Sequence, residues 1–285
     1  MILITDGGST KCDWVLLDNS GNTVFKTSTS GLNPTVIPKL ELIDRISSNE
    51  ELKSVFSNVR ILDFYGAGCG SESPKAILKE ILETLFSEAV VSVLEDTVAA
   101  VFAATSEPGI VCILGTGSNS CYFDGKEIYS PIPSLGYVLM DEASGNYFGK
   151  RLIRDFYYKR MPVEIASEFE KQYTLDADAL KMNLYKKSNP NAYLASFAQF
   201  IFTYNEITPY FRNLIKEGIT NFIACRILCY ENAHNVPIHF IGSIAHFSKE
   251  IIQECFQEHD LILGKIVQHP IDGLIEYYKN KSSNQ

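Results

Sequence analysis

Positive charge is scarce in this sequence: 25 Lys and Arg against 34 Asp and Glu leave a formal net charge of −9 at pH 7. No basic patch interleaved with aromatic residues occurs, so neither nucleic acid nor another polyanion is expected as a partner. The acidity itself asks for no more than solubility. No apolar run is long enough to span a bilayer, so no membrane partner is expected. An apolar strand begins at residue 2, which leaves no room for a secretory leader, and a cytoplasmic protein is expected. A disulfide framework is also missing: seven cysteines are an odd number without regular spacing, which suits reduced thiols in a cytoplasmic protein. Cys225 and Cys229 are one helical turn apart with no clear further ligand nearby, so packing in a helix core is expected rather than a metal. The single Trp, Trp14, alternates with Cys12 and Leu16 and is expected in the core. No low-complexity linker is present, and 285 residues suffice for two domains.

What the sequence does have is a strand, a glycine-rich turn and a second strand at residues 2–18. Ile2, Leu3 and Ile4 suit a buried strand. Gly7 and Gly8 can take positive φ and let the backbone approach a ligand, and Ser9 and Thr10 add hydroxyl donors. Such a turn can cradle a phosphate, and Asp6 before it could hold a hydrated magnesium ion; an ordinary hairpin fits these residues as well. A turn at 19–22 and a strand at 23–28 complete an antiparallel meander. A loop at 30–34 contains Asn33, and a helix is expected over 37–46. A strand at 61–65 runs into Gly66, Gly68 and Gly70. Their spacing, G-x-G-x-G, departs from the dinucleotide fingerprint G-x-G-x-x-G. An amphipathic helix follows from Ser73. The strand at 90–94 ends in Glu95-Asp96-Thr97 before a helix at 98–104. Asp96 therefore sits where ligands meet an open α/β sheet, although an Asp there also serves as a helix cap. Residues 105–109 break the pattern and mark a domain junction.

The second half opens as the first did. Residues 110–125 read apolar strand, Gly115-Thr116-Gly117-Ser118 turn, strand and acidic turn. Aligning Gly8 with Gly117 brings Ser9 onto Ser118 and Cys12 onto Cys121. This internal duplication suggests two turns able to hold one polyphosphate from two sides. Beyond it come a loop with a short strand at 132–140, and a helix through 158 opened by Asp141 and Glu142 at its N-terminal end. Helices are expected over 164–172, 176–186, 192–204, one long span from 209 to about 233, 247–259 and 271–279. Strands are expected at 238–241 and 261–267, and a frayed tail at 280–285.

Together these pieces resemble the sugar kinase, Hsp70 and actin superfamily, within it the BadF/BadG/BcrA/BcrD-type ATPase family, and in that family its N-acetylglucosamine kinases. The residues carrying the resemblance are Asp6-Gly7-Gly8-Ser9-Thr10-Lys11, Glu95-Asp96-Thr97, Gly115-Thr116-Gly117-Ser118-Asn119, Met140-Asp141-Glu142-Ala143-Ser144 and Ile241-Gly242-Ser243-Ile244. The resemblance implies an α/β protein of two ribonuclease-H-like, actin-like ATPase domains with a cleft between them. The domains would be 1–105, with a closing helix at 270–282 packing back on it, and 106–269 with helical insertions. It implies ATP and Mg²⁺ as cofactors. Gly7, Gly8, Ser9, Thr10, Lys11, Gly115, Thr116, Gly117, Gly242 and Ser243 would bind ATP, and Asp6 the metal, through water. Asn33, Asp96, Gly117, Ser118, Gly136 and Asp141 would hold the sugar, with Asp96 the catalytic base. Family members are often homodimers.

Leu135 stands where animal N-acetylglucosamine kinases carry an aromatic residue, which keeps N-acetylmuramate as an alternative acceptor. The cysteines that hold an iron–sulfur cluster in related dehydratase activators are missing, which counts against a partner-driving ATPase. No segment ahead of the first strand reads as a helix-turn-helix, which counts against a sugar-responsive regulator.

Overall fold

In a computed structural model, which describes residues 1–283, the chain forms two compact units. One is Met1–Ala103 together with the chain from His269 onward; the other is Ala104–Gln268. The first begins with the meander Ile2–Gly7 (β1), Lys11–Leu17 (β2) and Thr23–Ser30 (β3), all antiparallel. Then come helices Lys39–Ser47 (α1) and Glu50–Lys53 (α2), strand Ile61–Gly66 (β4), helix Glu72–Leu85 (α3), strand Val90–Glu95 (β5) and helix Asp96–Ala104 (α4). β4 and β5 run parallel to β1, and the sheet order is β3-β2-β1-β4-β5. Trp14 is fully buried on one face of this sheet, against Phe64 and Phe86. Its indole N–H donates to Thr29 Oγ1 at 3.1 Å.

The second unit contains Gly109–Leu114 (β6), Ser118–Phe123 (β7), Ile128–Tyr129 (β8), Gly145–Tyr157 (α5), Val163–Gln172 (α6), Ala177–Tyr185 (α7), Pro190–Thr203 (α8) and Pro209–Phe222 (α9). A π-helical turn, Ile223–Ile227, precedes Ile238–Ile241 (β9), Ser243–Phe247 (α10), Lys249–Glu258 (α11) and Leu263–Val267 (β10). Its sheet order, β8-β7-β6-β9-β10, repeats that of the first unit strand for strand. Pro270–Ser283 (α12) returns to the first unit, where Ile271, Leu274, Ile275 and Tyr278 pack with Ile4, Val15, Leu17 and Tyr65.

The two hairpins are not in the same register. Gly7 pairs with Cys12 around a four-residue turn, whereas Leu114 pairs with Ser118 around three residues. The alignment of Gly8 with Gly117 therefore sets Cys12, opposite Gly7, on Cys121, which lies opposite Val111. Turn length fixes hairpin register: matching the two hairpins at their turns sets Gly7 on Leu114 and Cys12 on Ser118, two and three residues from where the sequence alignment sets them.

Several elements differ from expectation. α1 starts at Lys39 because Pro38, its N-cap, holds the preceding residue out of the helix. The short α2 follows, capped by Asn49, whose Oδ1 accepts from Leu52 N at 3.0 Å. Residues 132–140 hold no strand; the third strand of that sheet is β8. The long helix from 209 ends as α at Phe222. Leu228 N then donates to Ile223 O, five residues back, at 2.9 Å. The helix expected over 247–259 is α11, starting at Lys249, and the short α10 before it was not expected. α12 continues to Ser283 instead of fraying at 280, and residues 284–285 of the expected tail lie outside the described residues. Cys225 and Cys229 are exposed, not core.

Candidate active site

The first turn is tied down through its carbonyls. Ala67 N donates to Gly7 O at 2.8 Å, Leu32 N to Gly8 O at 3.3 Å and Gly31 N to Thr10 O at 2.9 Å. The negative ends of these peptides thus face the protein. Neither Gly7 nor Gly8 has positive φ, contrary to the reason the sequence suggested for them. Space explains Gly7 instead: a Cβ there would lie 2.6 Å from the ring of Phe64. Asn33, expected at the sugar, braces the turn. Its Nδ2 donates to Ser9 Oγ at 3.0 Å and its Oδ1 accepts from Thr35 N and Thr35 Oγ1 at 2.9 and 2.6 Å.

Asp6, at the end of β1, is partly buried and faces Asp13 on β2. Burial first, then the Asp13 charge, push its carboxyl up to about 7, against the pull of Lys11. Lys11 is exposed and pairs with Asp13 at 2.6 Å.

Asp96 is the first residue of α4, and β5 passes into that helix without a loop. Its carboxyl accepts from the backbone N–H groups of Thr97 and of Asp96 itself, not from the N–H two or three residues on that an N-cap engages. Burial, then Glu95 and Asp6, push it up to about 7 all the same. Glu95 lies beside it, accepting from Thr97 Oγ1 at 3.3 Å.

In the second unit Gly115, Gly117, Ser118, Asp141 and Gly242 are brought together. Ser118 N donates to Asp141 Oδ1 at 3.2 Å, and a Cβ on Gly117 would lie 2.9 Å from Asp141 Oδ2. Ser118 is buried, and its Oγ has no partner among the described residues. Such a hydroxyl is costly unless a ligand supplies the bond. Gly242 has φ +113, a region only glycine occupies comfortably, and a Cβ there would meet Leu114 O at 2.4 Å. Its backbone consequently lies against the start of the second turn. Ser243 next to it is exposed.

Asp141 does not cap α5. It is buried with φ +74, Ala143 has φ +57, and the helix starts at Gly145 with Ser144 as N-cap. The bend turns the Asp141 carboxylate toward Ser118 N. Burial raises its pKa, opposed by the bonds from Asn146 and Ser118. Gly136, with φ +77, lies in the loop before Met140, where nothing lies within 4 Å of a Cβ position. Leu135 beside it is 56% exposed.

Three polar residues were given no role in the sequence reading. Asn146 is fully buried, donates from Nδ2 to Asp141 Oδ2 at 2.7 Å and to Thr116 O at 2.8 Å, and so joins the second turn to the carboxylate. Its place in the first turn of α5 was the only signal. Asp13 would have been found from the register of the first hairpin, and Glu95 from its place beside Asp96. Among the described residues no three His, Cys, Asp or Glu stand close enough to hold a metal by themselves. The Asp6 charge does help to raise the pKa of Asp96, and both residues offer oxygen donors only. That set fits a hard divalent ion which keeps waters and phosphate oxygens as its other ligands.

The structure is similar to that of a protein from Porphyromonas gingivalis described as a "putative N-acetylglucosamine kinase". The two are 35% identical over 98% of this chain and 99% of the other, with a TM-score of 0.88. This chain belongs to that protein's family. A protein of the same description from Chromobacterium violaceum matches over 97% and 98% of the two chains at 15% identity and a TM-score of 0.73. A ROK family glucokinase from Streptomyces griseus, solved with glucose and AMPPNP, matches over 99% and 100% at 12% identity and a TM-score of 0.62. At such identities these two share the fold alone. The family thus has the α/β, actin-like ATPase fold of sugar kinases, here with two five-stranded mixed sheets. No protein-family model and no curated protein matches the chain.

Proposed function

We propose that this protein transfers the γ-phosphoryl group of ATP to the 6-hydroxyl of an N-acetylated amino sugar, N-acetylglucosamine, as a member of the BadF/BadG/BcrA/BcrD-type ATPase family. The observation that carries the reading is Asp96. It stands at the carboxyl end of a parallel strand, and its environment raises its proton affinity into the range of a general base working at neutral pH. The described relatives support the choice of a sugar as acceptor and of the N-acetylated class.

In this reading Asp96 accepts the proton of the sugar hydroxyl as that oxygen bonds to the γ-phosphorus and the bond from phosphorus to the bridging oxygen of ADP breaks. Ser118 Oγ and the Asp141 carboxylate bind sugar hydroxyls, with Asn146 fixing Asp141. Gly7, Gly8, Ser9, Thr10 and Lys11 in one turn, Gly115, Thr116 and Gly117 in the other, and Gly242 and Ser243 hold the nucleotide. Mg²⁺, when bound, neutralises charge on the phosphates, and Asp6 is the residue that would hold it, through water. Placement and charge neutralisation are most of what phosphoryl transfer needs.

The test is ADP release with ATP and Mg²⁺ against a panel of glucose, glucosamine, N-acetylglucosamine, N-acetylmannosamine and N-acetylmuramate. Release that depends on N-acetylglucosamine is expected. Turnover independent of sugar would overturn the reading, and a preference for N-acetylmuramate would move it to that acceptor.

A further inference from the structure

Arg226 has no role in the reading above, yet it is 2% exposed. No carboxylate among the described residues lies within ion-pair distance of it. The Asp141 carboxylate is near enough to feel its charge but does not bond to it, and a buried guanidinium is costly unless its donors are also satisfied, so the partners of those donors need an account. Arg226 lies in the π-helical turn Ile223–Ile227. There its main-chain carbonyl accepts from Ser120 Oγ at 2.7 Å, and Ser120 is two residues from Ser118 on β7. π turns are rare and concentrate at functional positions.

The guanidinium reaches both ends of one loop. Nη1 donates to Ile132 O at 3.0 Å and Nη2 to Met140 Sδ at 3.2 Å. Residues 131–140 between them carry Leu135 and Gly136 and lead into Asp141. This loop has little else to hold it: Leu135, Val138 and Leu139 are 56%, 72% and 71% exposed. Within it, Leu139 N and Met140 N both donate to Gly136 O, at 3.2 and 2.9 Å. Near the middle, Lys150 Nζ on α5 donates to Tyr137 O at 2.8 Å. A loop whose apolar side chains point away from the core takes its shape from bonds to its backbone. Here those bonds come from two cations.

We propose that Arg226 is a positioning residue: it clamps the 131–140 loop at Ile132 and Met140, ties that loop to the strand bearing Ser118, and so sets affinity for the sugar. Lys150 acts with it at Tyr137. The inference rests on the proposed sugar site for its effect on affinity, but the clamp itself does not require that site. A planar fork serves two acceptors at fixed separation, which an ammonium does less well. The positive charge also opposes the rise in the pKa of Asp141 caused by burial.

The test compares wild type, Arg226→Met, Arg226→Lys and Met140→Leu in the full chain. Amide exchange at Leu139 and Met140 is measured without sugar or nucleotide. In Arg226→Met it should rise about tenfold or more, as the turn at Gly136 opens, with a smaller rise in Arg226→Lys. The KM for the sugar should rise about tenfold, with kcat and the KM for ATP within about twofold. Arg226→Lys should restore part of the sugar KM. If Arg226→Met does not fold, Met140→Leu decides, because it removes one acceptor and leaves the charge in place; it should show the same changes at smaller size. Unchanged exchange at Leu139 and Met140 in a folded variant overturns the clamp whatever the sugar panel shows. Equal rises in both KM values, or a loss of kcat alone, overturn the link to the sugar. If no sugar is turned over at all, the sugar reading fails while a faster exchange still upholds the clamp.

Discussion

Asp6 and Asp13 stand directly opposite each other on β1 and β2, and Lys11 pairs with Asp13, not with Asp6. Like charges facing across a strand pair are unfavourable. Because the folded protein holds the Asp6 proton more tightly than the unfolded chain, this group's stabilisation is present in acid. It is lost as pH rises from about 4 through about 7. Thermal melts in the presence of EDTA should therefore show a lower Tm at pH 8 than at pH 5, as far as Asp6 contributes. Asp13→Asn should shrink that drop without removing it, since burial is the larger cause. An unchanged drop would show that the facing charge is unimportant.

Asp96→Asn should cut kcat by about 10³ while calorimetry finds sugar affinity nearly unchanged. In the wild type, kcat/KM should increase as pH rises through about 7 and Asp96 loses its proton. Near-normal turnover in Asp96→Asn would leave Asp96 with a structural role only.

Ser118→Ala offers a contrast between stability and binding. Its hydroxyl is buried and unpartnered in the free protein. Removing it should leave Tm unchanged or slightly higher, yet raise the sugar KM about fivefold to tenfold. A fall in Tm with an unchanged KM would make the hydroxyl structural.

Gly242→Ala combines a φ of +113 with a Cβ placed 2.4 Å from Leu114 O. The change should destabilise the protein by about 2–3 kcal/mol in denaturant titration. It should also raise the KM for ATP more than that for the sugar, because the backbone that must shift lies against the start of the second turn. Equal effects on both substrates would detach Gly242 from the nucleotide.

Cys225 and Cys229 are exposed, while Cys12, Cys69, Cys112, Cys121 and Cys255 are buried. A thiol reagent should therefore modify two cysteines quickly in the native protein and the others only on unfolding. More than two fast thiols would place a buried cysteine in a segment that opens readily.

The duplicated sheet was legible because each unit announces itself with an apolar strand, a Gly/Ser/Thr turn and a second strand, and local pattern is enough to read that. The different register of the two hairpins was not legible, since register depends on a turn length that composition hides. Asp96 could be placed from strand and helix signals alone. Asp141 was placed in the wrong local structure. An acid before a helix reads as a cap, and only the positive φ at Asp141 and Ala143 turns it toward Ser118. Cys225 and Cys229 were misjudged because the wrong stripe was read. They continue the exposed line of Asn213, Glu217 and Asn221 at a spacing of four, while the buried line through Gly218 and Phe222 continues across the π turn to Arg226 and Tyr230. The spacing therefore puts Arg226 inside, although its charge alone argues for the surface.

The first unit is built from both ends of the chain. Ile4, Val15 and Leu17 of the opening hairpin are covered by Ile271, Leu274 and Ile275 of α12, and Tyr278 bonds to Asp63 at 2.5 Å and Tyr65 at 2.8 Å. During translation these strands leave the ribosome well before the helix that covers them. The second unit, unbroken in sequence, can reach its native packing while the first still exposes one apolar face of its sheet. A nascent chain arrested before residue 270 should therefore be held by chaperones through its oldest segment, not its newest.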